Sequence, residues 1–167
     1  INKCLEKAAA YNIKVFSFSF GGTTYSSTCD SDALASVAND LVNLGFFVSA
    51  ASGNNGDATK ISTPSCGTNV TSVGAVYDNS STAPDTVVSF SNANNILDIL
   101  APGVNICTTK AKKNGGSTCY SSGKSGDYRS YSGTSFSAPL VAGAAALVAQ
   151  FEQEEDNTII DPLTIAS

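Results

Sequence analysis

The apolar positions of this chain change period from block to block, and each period predicts an element. Ile1, Leu5, Ala8 and Ala9 have helical spacing and predict a helix that ends by Asn12. "IKVFSFSF", residues 13–20, alternates in part and is rich in β-formers, so it reads as a strand running out at Gly21-Gly22. Ser31-Asp32 places capping side chains before a second helix, which reaches Leu44 and stops at Gly45. "FFVSAAS", residues 46–52, is short and mostly apolar, the pattern of a strand buried on both faces, and "GNNGD" after it is loop. "VTSVGAV", 70–76, and "NILDILAPGVNI", 95–106, predict further strands, with a sharp turn at Pro102-Gly103. Residues 105–132 are polar and turn-rich, and 134–150 read as a helix of mostly small residues.

A strand, a helix of about a dozen residues and a second strand imply parallel pairing with a right-handed crossover. The class is therefore α/β, with helices packed on a mostly parallel sheet. The length, 167 residues, suits one domain, and no repeat or long linker interrupts it.

Composition narrows the function. Hydrophobic residues make up 42% of the chain, enough for a core, and charged residues only 14%, with a net charge of −5. That balance argues against a nucleic-acid surface. Lys110, Lys112 and Lys113 form the sole basic cluster and read as a solvated loop. The apolar run 138–148 is too short to span a bilayer, so a membrane partner is not expected. The start, Ile1-Asn2-Lys3, lacks the pattern of a secretory leader. Five cysteines are many for a reducing compartment and few for a disulfide scaffold. With no CxxC pair and no histidine, a zinc site would need cysteines and carboxylates alone.

In an open α/β sheet, ligands gather at the carboxyl ends of the strands. Three loops belong there: Ser19 to Gly22, Ser52 to Gly56, and Gly133 to Ser135. A serine at a helix N-terminus has backbone N–H groups and the positive end of the dipole beside it, which suits a developing oxyanion. Locally, an ordinary helix cap at Thr134 or Ser135 explains the same residues as well. Asn54 could donate its amide N–H to negative charge, or could be a left-handed turn residue.

Joined together, these segments resemble one family. "GTSFSAPLVAG", 133–143, is similar to the nucleophile motif of the subtilisin-like serine proteases, and "AASGNNG", 50–56, to that family's oxyanion-asparagine loop. "SFSFGG", 17–22, resembles its substrate-binding strand, and "LDILAPG", 97–103, another family segment, all in the family's order. The resemblance implies a three-layer fold with helices on both faces of a mostly parallel sheet, incomplete at both ends. It implies that residues 1–167 are a partial peptidase domain hydrolysing peptide bonds through an acyl-enzyme on Ser135. Asn54 and the Ser135 N–H would bind the oxyanion. Ser19, Phe20 and Gly21 would pair with an extended substrate. Ala51, Ser52 and Gly53 would wall the pocket for the side chain before the cut, and neutral Asn55 weakens any demand for a basic one. The resemblance also implies a structural calcium ion held by Asp98 with the carbonyls of Thr68 and Val70, after Pro64, and no organic cofactor.

Two family members of the catalytic triad, an aspartate and a histidine, belong to upstream segments that are not among these 167 residues. Without a base, the Ser135 hydroxyl is too weakly acidic to attack at neutral pH. The expectation is that the chain alone is inactive and needs the missing segment, with the family's propeptide as a further partner. A non-catalytic protein- or peptide-binding module of the same family likeness is the alternative. An amino-terminal loss would also expose sheet edges and apolar faces. For the cysteines, the resemblance suggests Cys107–Cys119 closing a long Gly/Lys loop, worth roughly 3 kcal/mol by loop entropy, and Cys29–Cys66 flanking the pocket. Cys4 is left over. With the acceptor patterns at Asn69 and Asn79, these pairings point to a secreted, extracellular or lumenal protein.

Overall fold

The computed structural model describes residues 2–8, 10–78, 85–109 and 128–156. Helix α1, Asn2–Ala8, leads into strand β1, Val15–Phe18, and then β2, Thr24–Tyr25. Helix α2, Ala33–Asn43, precedes β3, Phe47–Ala51, and β4, Ile61–Ser62. Strands β5, Thr71–Val76, β6, Ile99–Pro102, and β7, Ile106–Thr109, follow. β8, Tyr128–Tyr131, runs into α3, Thr134–Asp156.

The sheet that positions the site has the order β1-β3-β5-β6, and all three pairings are parallel. Every residue of the central β3 is buried, as a strand covered on both faces should be. Its side chains divide between the two faces. Val48 and Ala50 join Phe16, Phe18, Leu41 and Val42 beneath α2. Ser49 points the other way and donates its hydroxyl to the Ala138 carbonyl of α3 at 3.0 Å, and Ala51 packs with Ala138 and Val73. Helices α2 and α3 therefore lie on opposite faces, and the α/β layering matches the expectation.

Local chemistry sets the helix ends. Asp32 caps α2, its carboxylate accepting the Leu34 N–H at 2.9 Å. After Leu44 the chain turns at Gly45, with φ 87°, a left-handed conformation that costs glycine little. On α3 the buried apolar residues among those described are Ala138, Ala142 and Ala145, small enough for the helix to lie close against the sheet.

Several boundaries differ from the sequence reading. The 95–106 run is not one strand: β6 stays in the parallel sheet, and β7 leaves it to pair antiparallel with β8. Pro102-Gly103 makes that break, as expected. Helix α3 continues past Gln150 to Asp156, because the Glu-rich stretch that reads as polar is also a good helix former. This longer helix is long and apolar enough to cross a membrane by length and composition, unlike the 138–148 run alone. It packs instead along β1, β3, β5 and β6. Its outer face leaves Leu147 and Phe151 69% and 59% exposed. The lysine cluster 110–113, Cys119 and Asn79 lie outside the described residues. Asn69 is exposed and donates its side-chain N–H to Asn43 at 3.0 Å.

Candidate active site

The three loops named from the sequence converge. Ser19 follows β1, Gly53 and Asn54 follow β3, and Ser135 opens α3, and all line one cavity of about 220 Å³. Gly133, with φ 151°, lets the chain swing into α3. Ser135 is the second residue of that helix, so its N–H has no carbonyl to reach within it.

Asn54 is fixed in one orientation. Its Oδ1 accepts both the Thr134 N–H and the Thr134 hydroxyl at 2.9 Å. An N–H can only donate, so the amide oxygen must face Thr134 and the NH₂ must face away. Both local alternatives fail on this geometry. The first N–H of α3 is satisfied by Asn54, not by Thr134 or Ser135, and the left-handed residues of the loop are Gly53 and Gly56, with φ 111° and 67°.

The loop is wrapped around Asn92, which sequence reasoning missed. Its side chain is fully buried, and its Oδ1 accepts the Asn55 N–H at 2.8 Å and the Asp57 N–H at 3.2 Å. Its backbone N–H donates to the Gly53 carbonyl at 2.9 Å. A buried polar side chain with this many bonds specifies one loop shape. Downstream, the Thr59 hydroxyl and N–H donate to Asp57 and hold its carboxyl below the usual range.

On the other side, Ser135 is bonded to Ser19 twice. The Ser135 hydroxyl donates to the Ser19 carbonyl at 3.0 Å, and the Ser19 hydroxyl donates to the Ser135 carbonyl at 2.7 Å. Phe20, Gly21, Ala51, Gly53 and Asn55 also line the cavity. Ser52 is a correction. Its side chain is fully buried and its hydroxyl donates to the Asn92 carbonyl at 2.8 Å, so it braces the loop rather than walling the pocket. Ser62 fills that part of the wall. A Cβ on Gly21 would sit 3.0 Å from Ser62 Cβ, and one on Gly53 only 2.5 Å from Ser62 Oγ. Its two-residue strand, pairing Ser62 with Thr24, carries no pattern that sequence could reveal.

The Ser62 segment is braced from behind. The Thr63 hydroxyl donates to Asp32 at 2.8 Å and the Tyr25 hydroxyl at 3.1 Å. The Thr63 hydroxyl is the main cause holding the Asp32 carboxyl below its usual range, and Asp32 in turn pushes the Tyr25 phenol up. The expected Cys29–Cys66 disulfide is present, closing a loop of 37 residues. By chain entropy a loop of that size stabilises by about 4 kcal/mol. Cys107 is disulfide-bonded, Cys119 lies outside the described residues, and Cys4 is a free, exposed thiol.

The residues proposed for calcium are committed elsewhere in part. Asp98 Oδ2 accepts the Ser72 N–H and the Ser72 hydroxyl, both at 2.7 Å. The Thr68 N–H and hydroxyl donate to Asp30 at 2.8 and 2.6 Å. Among the described residues no three acidic, histidine or cysteine side chains converge. The other Asp98 carboxylate oxygen and the Thr68 and Val70 carbonyls are hard oxygen donors, the type that calcium takes.

Comparison with known proteins agrees with this arrangement. A family model described as the subtilase family matches residues 1–165. Subtilisin E of Bacillus subtilis (strain 168) is 37% identical over 147 residues, covering 86% of this chain and 32% of that protein. Subtilisin BL of Lederbergia lenta is 40% identical over 146 residues, covering 87% and 45%. The solved patellamide maturation protease PatA has a TM-score of 0.74 at 27% identity, covering 98% of this chain and 54% of that one. The chain thus spans about half the length of that structure, and under half of those subtilisins.

Proposed function

We propose that this chain, which belongs to the subtilase family, carries the nucleophile and oxyanion half of a serine endopeptidase. Ser135 Oγ adds to the scissile carbonyl carbon while a histidine outside these 167 residues takes its proton. The carbonyl oxygen becomes an oxyanion, held by the Asn54 amide N–H and the Ser135 backbone N–H. Collapse expels the amine, which receives the proton, and leaves an acyl ester on Ser135 that water then hydrolyses. Ser19, Phe20 and Gly21 hold the extended substrate as an added strand. Gly53, Ala51, Asn55 and Ser62 shape the pocket for the side chain before the cut.

The observation that carries this reading is the Asn54 clamp: two donors on Thr134 fix the amide oxygen and turn the NH₂ away from the helix that bears Ser135. The further reading that the chain alone is inactive is supported by the absence of histidine among these 167 residues and by the Ser135 hydroxyl donating to a carbonyl, too weak a base to take the proton. The missing aspartate- and histidine-bearing segment and a propeptide are the proposed protein partners. The disulfide supports an extracellular or lumenal location. Asp98 with the Thr68 and Val70 carbonyls would hold a structural calcium ion, read out by a fall in melting temperature on chelation.

Fluorophosphonate labelling tests the central claim. The isolated chain should label negligibly. Addition of a subtilase segment bearing the aspartate and histidine should bring labelling at Ser135, abolished in Ser135→Ala. Serine loss in a subtilisin costs about 10⁶ in turnover. Labelling that survives Ser135→Ala overturns the assignment. Peptide binding without labelling in the complemented chain favours the non-catalytic binding module.

A further inference from the structure

We infer that the Ser19 side chain is a positioning residue, replacing a helix hydrogen bond that Pro139 cannot make and so tying the nucleophile to the substrate strand. In an α-helix the N–H of residue i donates to the carbonyl of residue i−4. For Ser135 that donor would come from residue 139, which is a proline inside α3 and has no N–H. The Ser135 carbonyl is therefore left without its helical partner in the first turns. The Ser19 hydroxyl donates to that same carbonyl at 2.7 Å. The bond crosses 116 residues of sequence and joins the end of β1 to the start of α3.

The consequence is geometric. Ser19 begins the segment proposed to pair with substrate, and its own carbonyl accepts the Ser135 hydroxyl at 3.0 Å. Two bonds, one through each residue's side chain, fix the distance between the attacking oxygen and the strand on which the peptide would lie. The hydroxyl changes its acceptor when a base is present, but the Ser135 backbone that carries it stays in register with the substrate strand. Pro139 has a positive role here: by lacking a donor it leaves the Ser135 carbonyl open to a hydroxyl from outside the helix. With alanine at 139, a helical N–H would compete for that carbonyl and Ser19 would lose its hold. The inference rests on the proposed nucleophilic role of Ser135.

The test is a double-mutant cycle on the chain complemented with an aspartate- and histidine-bearing subtilase segment. Ser19→Ala should slow fluorophosphonate labelling about tenfold, the effect of losing one positioning hydrogen bond, with the loss in kcat rather than KM on a peptide substrate. Ser19→Thr, which keeps the hydroxyl, should recover most of the rate. In a Pro139→Ala background, Ser19→Ala should cost no more than about twofold, because the carbonyl already has a partner. The same cycle read by thermal melting should show the same coupling. Equal losses in both backgrounds, or wild-type labelling by Ser19→Ala, overturn the inference. Coupling in melting without any labelling of the wild-type assembly upholds the contact and overturns the proteolytic reading instead.

Discussion

On one side of the cleft, Asn54 stands in a loop held by its own chain: Thr134 takes the amide oxygen, and Asn92 takes the neighbouring N–H groups of Asn55 and Asp57. On the other side, among the described residues the Ser135 hydroxyl is bonded to Ser19, and its proton points at a carbonyl. The first arrangement is held: in the proposed role its donors would need no rearrangement when charge develops. The second is positioned but not activated. The contrast separates two contributions to acyl transfer that usually arrive together. Stabilising an oxyanion needs donors at fixed places, which 167 residues can supply locally. Moving a proton needs a group of suitable pKa, and this chain has no histidine.

The strongest way to break the contrast is to loosen the held side. Asn54→Ala should lower kcat of the complemented enzyme by about 10²–10³ with little change in KM, the loss established for this donor in a subtilisin. Thr134→Val removes the hydroxyl donor but keeps the N–H, and should cost clearly less. If both substitutions leave kcat unchanged, the Asn54 side is not an oxyanion hole.

A smaller effect sharpens the space between the two sides. Ser62 crowds the slot bounded by Gly21 and Gly53. Ser62→Gly should shift preference toward larger side chains before the cut, by about 10-fold or more in relative kcat/KM, the scale of a few buried methylenes. A peptide library with that position varied reads this directly. An unchanged profile would place the specificity wall elsewhere.

The smallest effect concerns the brace behind Ser62. Thr63 and Thr68 hydroxyls are the main causes that hold the Asp32 and Asp30 carboxyls below their usual range. A carboxyl with a depressed folded pKa stabilises above its unfolded pKa, and that contribution is lost as pH falls through the folded value. Melting temperature should thus be level above about pH 5 and decline below about pH 4. Asp32→Asn should flatten part of that decline. The change is small because both side chains are largely solvated.

The two faces of the sheet show a related difference. Beneath α2, Phe16, Phe18, Leu41, Val42 and Val48 are all buried. On the outer side of α3, Leu140, Leu147 and Phe151 are exposed. An apolar face this bare on a core helix supports the expectation that the chain needs a partner segment to fold stably.

Much of the architecture was legible because it is written in short-range pattern. The alternation at Phe16 and Phe18, the Asp32 cap and the Gly45 stop all depend on residues a few positions apart. Ser135 and Asn54 were legible through motifs whose residue types the chemistry demands. What stayed hidden depends on contacts between distant segments. Ser62 lies on a two-residue strand, Asn92 lies in a plain loop, and Ser52 turned out to face inward. Pro102-Gly103 marks the break of the 95–106 run in the sequence, but which sheet each half joins is set by the strands available to pair.

By itself, then, the sequence determined the α/β class, the order of the elements and the candidate pair Ser135 and Asn54, because periodicity and motif are local properties of the chain. Only the tertiary structure decided which way the Asn54 amide faces, which serine walls the pocket and what holds the Ser135 carbonyl. Each of those answers is a hydrogen bond or contact between residues far apart in sequence, up to 116 positions for Ser19 and Ser135, and its direction follows from packing that no single segment encodes.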